Sequence, residues 1–418
     1  MKITLLHYAA PPIIGGVESV LGHHARLLAG DGQTVSILAG RGAQTDPHIP
    51  FISLPLADSR HPEVEAVKAE LDAGRVTPRF TALVSAILEA LTRLLKDTEV
   101  LVVHNACSLN KNLALTAAIH EYAARPGAPR LVLWHHDLAW ATPRYQAELH
   151  PGYPWDLLRT AWPGAVQVTI SESRRQELAW MFNLPTAQIQ VIPNGVDVGQ
   201  FFKLEAESLD LLHRLDLLQA SPLLLLPVRI TPRKNIELAL RSLAALKAHF
   251  PAACLLVTGP LGPHNPANTA YFQRLLNLRA ELGIEESAVF LVEQVEHDLP
   301  DAVIADCYRL ADALFLPSRE EGFGIPMLEA GLAGLPIFCA DIPPLRSLGG
   351  SFATYFSPDA DPAQVAALVQ QRLAAEPTFG LRQQVKQGYT WQRIYEQKIK
   401  PLIIGSTRRM AVPPAAGR

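Results

Sequence analysis

The stretch PLLLLPV, residues 222–228, is a short apolar run that ends at a polar loop. Similar runs follow it at ACLLVTG (253–259), AVFLVE (288–293), ALFLP (313–317) and PIFCA (336–340), with longer segments of helical period between them. Short, continuously apolar runs are typical of strands buried on both faces of a parallel sheet. This alternation predicts a doubly wound α/β domain.

The first half of the chain has the same pattern and therefore predicts a second such domain. Its expected strands are ITLLHY (3–8), TVSIL (34–38), VLVVHN (100–105), RLVLWHH (130–136), VQVTIS (166–171) and IQVIP (189–193). The turn residues of PNGVDVGQFF, 193–202, separate the two sets. We expect domains at 1–200 and 201–390, a helix at 391–404 and a flexible Pro/Ala-rich tail at 405–418.

The composition excludes several classes of protein. Of the 418 residues 49% are apolar and 18% charged, and the net charge of -3 provides no basic field for nucleic acid. Prolines and glycines interrupt the N-terminal apolar run, and no stretch reaches the roughly 20 apolar residues of a membrane span. We expect a cytoplasmic protein, for which peripheral contact with a membrane stays possible. The four cysteines are far apart in the sequence, so we expect them to be core residues rather than metal ligands.

The loop after ALFLP, SREEGFGIPMLEAGLAGLP, is the richest in chemistry. Gly322 and Gly324 permit close backbone approach, and the following helix would direct free N–H groups at a phosphate. The carboxylates of Glu321 and Glu329 suit the hydroxyls of a sugar or ribose. Either glutamate alone is more often a helix-start or solvated residue, but the combination favours a ligand site.

The loop after PLLLLPV, RITPRKN, carries three cations. Arg229 and Lys234, with Arg233 between them, could clamp a diphosphate and neutralise a leaving nucleotide without a metal. The spacing leaves open which arginine points inward, and solvated charge at a strand end is an equally simple interpretation.

The first half offers weaker signals. In PPIIGGVES, Gly15 and Gly16 could let a ligand approach the next helix, although a Gly-Gly turn is as common. In WHHD, His135 and His136 point to opposite faces of a strand and chelate a metal poorly. Of the two we favour His136, nearer the end of the strand, as the contact for the sugar or acceptor, and a structural role for it is equally open.

Other features have simpler interpretations. Asp359-Ala360-Asp361 resembles a metal-binding Asp-x-Asp but is better explained as a turn and helix N-cap. The aromatic segment after Asp137 contains Trp140, Tyr145, Tyr153 and Trp155, which could stack on a sugar but more commonly pack a long loop. Motifs for P-loop hydrolysis, zinc proteolysis and serine hydrolysis do not occur.

Taken in order, seven phrases resemble glycosyltransferase family 4, a set of retaining enzymes with the GT-B fold. They are GGVE (15–18), HHD (135–137), SESRRQEL (171–178), VIPNGVD (191–197), VRITPRKN (228–235), LPSREEGFGIPMLEAGLAGLP (316–336) and DIPPLRS (341–347). The resemblance implies two doubly wound Rossmann-like domains facing each other across a cleft, with the final helix crossing back onto the first.

The resemblance also implies roles for particular residues. Glu321 matches the glutamate at the donor sugar, and Glu329 the one that holds the ribose hydroxyls. Arg229 and Lys234 match the diphosphate pair, which favours Arg229 over Arg233. The remaining matches are Gly322, Phe323, Gly324 and Ile325 along the donor, Gly16 near the phosphates, and His136 near the reacting sugar.

Two departures from the family pattern stand out. Ser347 follows Arg346 where an acid is common, and Glu293 and Gln294 stand where a glycine is frequent. The second segment lies near the base in relatives, which leaves both uridine and guanosine open.

The expected function is transfer of a hexosyl group, glucose or mannose, from a UDP- or GDP-linked sugar to a hydroxyl acceptor, a small soluble molecule or an oligosaccharide. Retention of anomeric configuration and chemistry without a metal follow from the resemblance, and the nucleotide sugar is a co-substrate, with no other cofactor expected. The alternatives are a phosphorylase- or epimerase-like sugar-phosphate enzyme on the same fold, or a non-catalytic sugar- or nucleotide-binding protein.

Overall fold

The computed structural model describes residues 1–261 and 266–405 and divides the chain into two compact units. Unit 1 is Met1–Gly195 with the segment that begins at Trp391, and unit 2 is Val196–Thr390. The chain therefore passes from one unit to the other after residue 195. The boundary expected from the sequence was five residues later, after residue 200.

Unit 1 contains a parallel sheet of seven strands in the order β3-β2-β1-β4-β5-β6-β7. The strands are β1 (Lys2–Ala9), β2 (Thr34–Arg41), β3 (Phe51–Ser53), β4 (Val100–His104), β5 (Arg130–His135), β6 (Val166–Thr169) and β7 (Ile189–Val191). The predicted apolar runs all form strands. β3 was not predicted, because its three residues are only partly buried at the edge and show no apolar run.

Helices cover both faces of this sheet, as right-handed crossovers between parallel strands require. They are α1 (Gly16–Gly30), α2 (Pro62–Asp72), α3 (Pro78–Leu94), α4 (Leu113–Ala123) and α5 (Glu172–Phe182). The Asn112 carboxamide accepts from Leu115 N–H at 3.0 Å and so caps α4, and Ser171 caps α5 through Arg174 N–H at 3.3 Å.

Unit 2 contains a parallel sheet of six strands in the order β10-β9-β8-β11-β12-β13. The strands are β8 (Leu223–Leu226), β9 (Cys254–Val257), β10 (Ala288–Phe290), β11 (Ala313–Leu316), β12 (Ile337–Ala340) and β13 (Thr354–Phe356). Only the edge strand β13 was missing from the prediction. Numbered within the unit, this order is 3-2-1-4-5-6, the doubly wound order of dinucleotide-binding domains, and the sheet of unit 1 has the same order with a seventh strand added at its end.

The helices of unit 2 complete its two outer layers. They are α6 (Val198–Phe202), α7 (Ala206–Arg214), α8 (Ile236–Leu246), α9 (Pro266–Glu281), α10 (Asp301–Leu310), α11 (Ile325–Leu332), α12 (Pro343–Gly349), α13 (Pro362–Ala374) and α14 (Pro377–Gly388).

The last described segment returns to unit 1, as the family resemblance implied. It is one continuous helical run in which α15 (Trp391–Ile394) and α16 (Lys400–Ile403) flank a π-helical turn at Tyr395–Ile399. Its apolar residues share a core with Ile3 and Leu5, and Lys400 Nζ lies 2.8 Å from Asp31 Oδ1. The tail that we expected to be flexible lies outside the described residues after 405.

The cysteines and the lengths of the apolar helices can be compared with the predictions. All four cysteines are buried and carry free thiols, in agreement with their predicted core positions. Among residues 1–261 and 266–405, no helix is long and apolar enough to span a membrane.

A buried charge cluster joins α14 to the sheet of unit 2. Asp312 Oδ2 accepts from Leu223 N–H at 2.8 Å and from Lys386 Nζ at 3.0 Å, and Arg382 Nε lies 3.2 Å from Oδ1. Asp312 and Lys386 are both almost fully buried, and burial lowers the pKa of Lys386. A buried ion of this kind is strongly destabilising once its partner is removed.

We expect Asp312→Asn to lower the free energy of unfolding by about 3 kcal/mol, because Lys386 keeps a buried charge without a counterion. The loss should shrink as the pH rises toward the pKa of a free lysine, since the unfolded chain then binds more protons than the folded one. Urea unfolding at several pH values measures both effects. Glu376→Gln, in the partly exposed pair with Arg372, is the control and should cost under about 0.5 kcal/mol. A pH-independent loss would contradict this explanation.

Candidate functional site

Each sheet has one switch point, between β1 and β4 in unit 1 and between β8 and β11 in unit 2. At such a point the connections leave neighbouring strands in opposite directions, so a crevice opens at the carboxyl ends of the strands. The loops singled out in the sequence begin there. Gly16 follows β1, Arg229 and Lys234 follow β8, and Glu321 follows β11.

In unit 2 the loops after β8 and β11 are tied together by Asn235. This residue has a left-handed backbone with φ of 53° and precedes α8. Its amide donates to the carbonyl oxygens of Pro317 at 3.0 Å and Pro358 at 2.9 Å, and Arg319 N–H donates to Arg233 O at 2.8 Å. The two loops are therefore held together by the Asn235 side chain and by one backbone hydrogen bond.

Lys234 and Glu321 form a buried ion pair in this arrangement. Lys234 Nζ lies 2.5 Å from Glu321 Oε1, and both side chains are more than nine-tenths buried. The same carboxylate oxygen accepts from the hydroxyl of buried Ser318 at 2.7 Å. Glu321 Oε2 has a looser neighbour, Arg233 Nη1 at 3.9 Å. The pair fixes both residues and leaves Oε2 able to accept hydrogen bonds from a ligand.

The two arginines of this loop have different surroundings. Arg233 is engaged with the other loop, because its guanidinium also donates to Glu320 O at 3.3 Å. Arg229 is exposed, and its guanidinium makes no hydrogen bond or ion pair with any residue that the structure describes. Of the two, Arg229 has the cation free to meet an anionic ligand.

The N-terminus of α11 continues the site. Gly324 precedes the helix with φ of 108°, a conformation that favours glycine, and a Cβ there would lie 2.8 Å from Leu345 Cδ2. Exposed Gly322, Phe323 and Ile325 surround this turn. In the first helical turn Pro326 has no N–H and Met327 N–H donates to Gly324 O at 3.0 Å, so this terminus offers an anion the Ile325 N–H and the positive end of the helix dipole.

Glu329 lies on the exposed side of α11, where Tyr308 of α10 donates its phenolic proton to Glu329 Oε2 at 2.5 Å. This partner of Glu329 was not predicted from the sequence. The polar residue in the apolar face of α10 was the only available sign.

A pocket of about 370 Å³ adjoins these loops and is lined by residues 258–261, 291–292 and 295–299. Its wall touches the segment that carries Arg229. Ile230 N–H donates to Pro260 O at 3.1 Å, and a Cβ on Gly259 would lie 1.9 Å from Val228 O. Only glycine therefore allows the wall to approach the β8 loop this closely.

In unit 1 the two adjacent histidines have separate partners. His135 Nε2 lies 2.8 Å from Gln167 Oε1 on the neighbouring strand, whereas His136 Nε2 lies 3.1 Å from His104 Nδ1. Both rings are buried. Burial lowers the pKa of His135 to about 4 and that of His136 to about 3, so both are neutral at physiological pH.

Asn105 holds the backbone of the segment that carries His136. It has a left-handed conformation with φ of 58°, and its Oδ1 accepts from His136 N–H at 2.8 Å and from Asp137 N–H at 3.0 Å. Its amide also donates to Asp137 Oδ2 at 3.1 Å. One side chain thus satisfies the strand end on which His136 lies.

His7, a histidine near the end of β1, was not predicted as a site residue. Its Nδ1 lies 2.7 Å from His104 O, and since a carbonyl can only accept, Nδ1 carries the proton. The neutral ring leaves Nε2 as an acceptor, 4.0 Å from Glu18 Oε1. Burial lowers the pKa of His7 to about 4. A polar residue within an otherwise apolar strand was the signal that could have indicated it.

Gly16 lies exposed at the first residue of α1, and a Cβ there would meet no atom within 4 Å. Packing therefore does not require a glycine at this position. At Gly15, by contrast, a side chain would not fit. The Glu18 carboxylate lies against this residue, and a Cβ on Gly15 would be 2.1 Å from Glu18 Oε2.

The Asp-x-Asp at residues 359–361 and two aromatic residues of the segment after Asp137 have structural contacts. Asp359 pairs with Arg319, and Asp361 precedes α13 as its N-cap residue without a side-chain cap. Trp155 is buried, and Trp140 lies under Arg159 with its indole N–H on Trp155 O at 3.1 Å. These rings pack the long loop. No three His, Cys, Asp or Glu residues in the described parts of the chain are grouped to hold a metal.

Comparison with known families gives two matches that cover different parts of the chain. The family described as Glycosyltransferase Family 4 matches residues 14–200, and the family described as Glycosyl transferases group 1 matches residues 214–389. The two matches therefore span both doubly wound units.

Among curated relatives, a D-inositol 3-phosphate glycosyltransferase of Thermobispora bispora is 29% identical over 230 residues, 53% of this chain and 52% of the relative. One of Stackebrandtia nassauensis is 31% identical over 180 residues, 42% of this chain and 38% of the relative. The chain spans about half or less of the length of these relatives.

Among solved structures, the glycosyltransferase WaaG of lipopolysaccharide biosynthesis covers 97% of this chain and 100% of its own, at 14% identity and a TM-score of 0.38. The sucrose-phosphate synthase of Thermosynechococcus elongatus gives the same coverage at 18% identity and a TM-score of 0.36. Similarity at this level carries no inference about substrates.

We expect unit 1 to lose stability as the pH falls below about 6.5, the pKa of an unperturbed histidine. His24 is buried against Trp134 and Trp391, and burial lowers its pKa to about 3, as it does for His136. The unfolded chain therefore binds protons that the folded one does not, and each such ring contributes a slope of about 1.4 kcal/mol per pH unit.

The measurement is urea unfolding followed by tryptophan fluorescence between about pH 7 and pH 4. His24→Phe should make the dependence shallower by about one proton, and the same replacement at exposed His48 serves as the control. An unchanged slope in the His24 variant would show that this ring does not resist protonation.

Proposed function

Because its two halves match the two family models, the chain belongs to the group 1 glycosyltransferases, and we propose that it transfers a hexosyl group from a nucleoside-diphosphate sugar to a hydroxyl acceptor with retained anomeric configuration. The observation that carries this proposal is the buried pair of Lys234 and Glu321 at the switch point of unit 2. It combines, in one fixed group, a cation for a diphosphate and a carboxylate for a sugar.

The diphosphate meets three sources of positive potential. Lys234 has three N–H donors and donates one to Glu321 Oε1, so two remain for phosphate oxygens. Arg229 adds a free guanidinium, and α11 adds the Ile325 N–H and the positive end of its helix dipole. Charge develops on the diphosphate as the glycosidic bond breaks, and fixed donors of this kind stabilise it without a metal ion.

The sugar and nucleoside contact the other side chains of unit 2. Glu321 Oε2 accepts a sugar hydroxyl, and the backbone of residues 322–325 lies along the donor. Glu329 accepts the ribose hydroxyls, and the pocket beside the β8 loop takes the base. Uridine and guanosine diphosphate are both candidates, because the pocket offers polar and apolar groups, including His297 and Leu291.

The acceptor is proposed to bind at the carboxyl edge of the unit 1 sheet. His7 Nε2 and Glu18 Oε1 are two acceptors 4.0 Å apart, an arrangement suited to a ligand rich in hydroxyl groups. Exposed Lys111 supplies a nearby positive charge, which acts to lower the pKa of His7. Since the curated relatives are named for D-inositol 3-phosphate, phosphorylated and free polyols are the first acceptors to test.

In the proposed reaction the acceptor oxygen forms the new bond on the face of the sugar from which the diphosphate departs. A phosphate oxygen takes the acceptor proton. His136 is neutral at physiological pH and orients or stabilises the sugar by hydrogen bonding, so it need not act as the base.

We expect Glu321→Gln to lower the transfer rate of the folded protein at least about a hundredfold, because the neutral amide weakens both the Lys234 pair and the sugar contact. The variant also loses stability, since buried Lys234 no longer has a counterion, so circular dichroism and urea unfolding are used to establish that the assayed protein is folded. The assay measures release of nucleoside diphosphate from UDP- and GDP-sugars with polyol acceptors and identifies the product by mass spectrometry and NMR. The adjacent, exposed Glu320 provides the matched control, Glu320→Gln.

The products also separate the alternatives. A glycoside formed only with acceptor supports transfer, whereas a sugar phosphate or an isomerised sugar would identify a phosphorylase- or epimerase-like enzyme. Near-normal turnover in the Glu321 variant would contradict the assigned role.

We expect transfer to persist, within about twofold, after dialysis against EDTA, because Arg229, Lys234 and the α11 N-terminus neutralise the leaving diphosphate. The rates before and after dialysis, and after re-addition of Mg²⁺ or Mn²⁺, measure this. A loss of activity that either cation restores would contradict a metal-independent mechanism.

A further inference from the structure

The contact between Tyr308 and Glu329 links two helices of unit 2. Tyr308 lies on α10 and is 4% exposed, whereas Glu329 lies on the exposed side of α11. The phenolic oxygen is 2.5 Å from Glu329 Oε2. A buried, rigid side chain therefore holds one oxygen of a carboxylate that is otherwise accessible to solvent.

The proton of this hydrogen bond belongs to the phenol. Burial raises the pKa of Tyr308 well above its usual value, and the bond to Glu329 raises it further. Tyr308 therefore donates, and Glu329 accepts through Oε2. In the described parts of the chain no other group donates to Glu329, so Oε1 and one lone pair of Oε2 can accept from a ligand.

We propose that Tyr308 is a positioning residue that orients Glu329 to accept the ribose hydroxyls of the nucleotide and so distinguishes ribose from deoxyribose. This inference rests on the proposed function, in which unit 2 binds a nucleoside-diphosphate sugar. An exposed glutamate samples several rotamers, and a fixed partner removes most of that freedom before the ligand arrives.

The position of α10 in the chain supports this role. The segment 295–299 lines the pocket assigned to the base, and α10 begins at Asp301 directly after it. The same helix that follows the base pocket thus also holds the carboxylate assigned to the ribose.

Discrimination follows from the cost of leaving Glu329 unpaired. A ribose supplies two hydroxyl donors, whereas a 2′-deoxyribose leaves part of the oriented carboxylate without a donor in a site from which the ligand has displaced water. A carboxylate that is free to rotate gains less from the two ribose hydroxyls, because part of that gain is lost in ordering the side chain. Removal of the phenolic hydroxyl is therefore expected to weaken ribonucleotide binding and leave deoxyribonucleotide binding nearly unchanged.

The chain contains a matched pair of the same chemistry. Tyr271 of α9 is fully buried and donates to Glu237 Oε2 on α8 at 2.6 Å. Tyr271→Phe removes the same hydroxyl from the same kind of contact and controls for a general loss of stability.

The experiment is isothermal titration of the full chain with UDP, GDP, 2′-deoxy-UDP and 2′-deoxy-GDP. The wild-type protein should bind the ribonucleotide of its preferred base about tenfold or more tightly than the 2′-deoxyribonucleotide. In the Tyr308→Phe variant the two dissociation constants should agree within about twofold. The Tyr271→Phe variant should keep the wild-type ratio of the two dissociation constants. In the transfer assay, Tyr308→Phe should raise KM for the donor about tenfold with kcat within about twofold, as expected for lost uniform binding.

A double-mutant cycle gives a second test. Glu329→Gln should weaken ribonucleotide binding, and adding Tyr308→Phe to it should cause little further loss, since the phenol acts through that side chain.

Three outcomes would overturn the inference. If the Tyr308 variant keeps the wild-type ribose preference, or if the two substitutions add independently, Tyr308 does not position Glu329 and the proposed function stands. If the wild-type chain binds none of the four nucleotides, the proposed function fails and the inference fails with it.

Discussion

Lys234 and Glu321 form a buried ion pair between residues 87 positions apart in the chain, and the proposed donor site depends on it. Neither charge is stable in that position alone, because a desolvated ion needs its partner close by. The pair therefore fixes the loops after β8 and β11 against each other, with Asn235 and Ser318 completing the arrangement. Because the cation has two further donors and the carboxylate a second oxygen, the contact that stabilises the loops also leaves groups for a ligand.

In unit 1, neutral side chains likewise stabilise the ends of strands and keep hydrogen-bonding groups for a ligand. Asn105 satisfies two backbone N–H groups at the end of β5, and His104 contacts both His136 and His7. Burial keeps these rings neutral, so each has one donor and one acceptor nitrogen. In the proposed function, unit 2 supplies charge for a diphosphate, whereas unit 1 supplies directed hydrogen bonds for hydroxyl groups. This division agrees with a donor bound by one unit and an acceptor by the other.

Most of the fold could be predicted from the sequence, because strands buried on both faces of a parallel sheet are continuously apolar. The edge strands β3 and β13 could not, since their half-buried three-residue segments lack that signal. The loops of the site were recognisable by their glycines and charges. Their partners were not, because spacing along the chain does not report that Lys234 meets Glu321 or that Tyr308 meets Glu329. His7 and His104 were also missed, although a polar residue inside an apolar strand is a signal that could have indicated both of them.

The return of the segment after Trp391 to unit 1 has a consequence for biosynthesis. Ile394, Tyr395, Ile399 and Ile403 share a core with residues of β1, β2, β4 and β5, so one face of the first sheet is completed by the last segment described. A ribosome makes this segment only after all of unit 2. Part of one apolar face of unit 1 therefore stays uncovered while residues 196–390 are translated. The second domain to be synthesised is then the first that can finish folding.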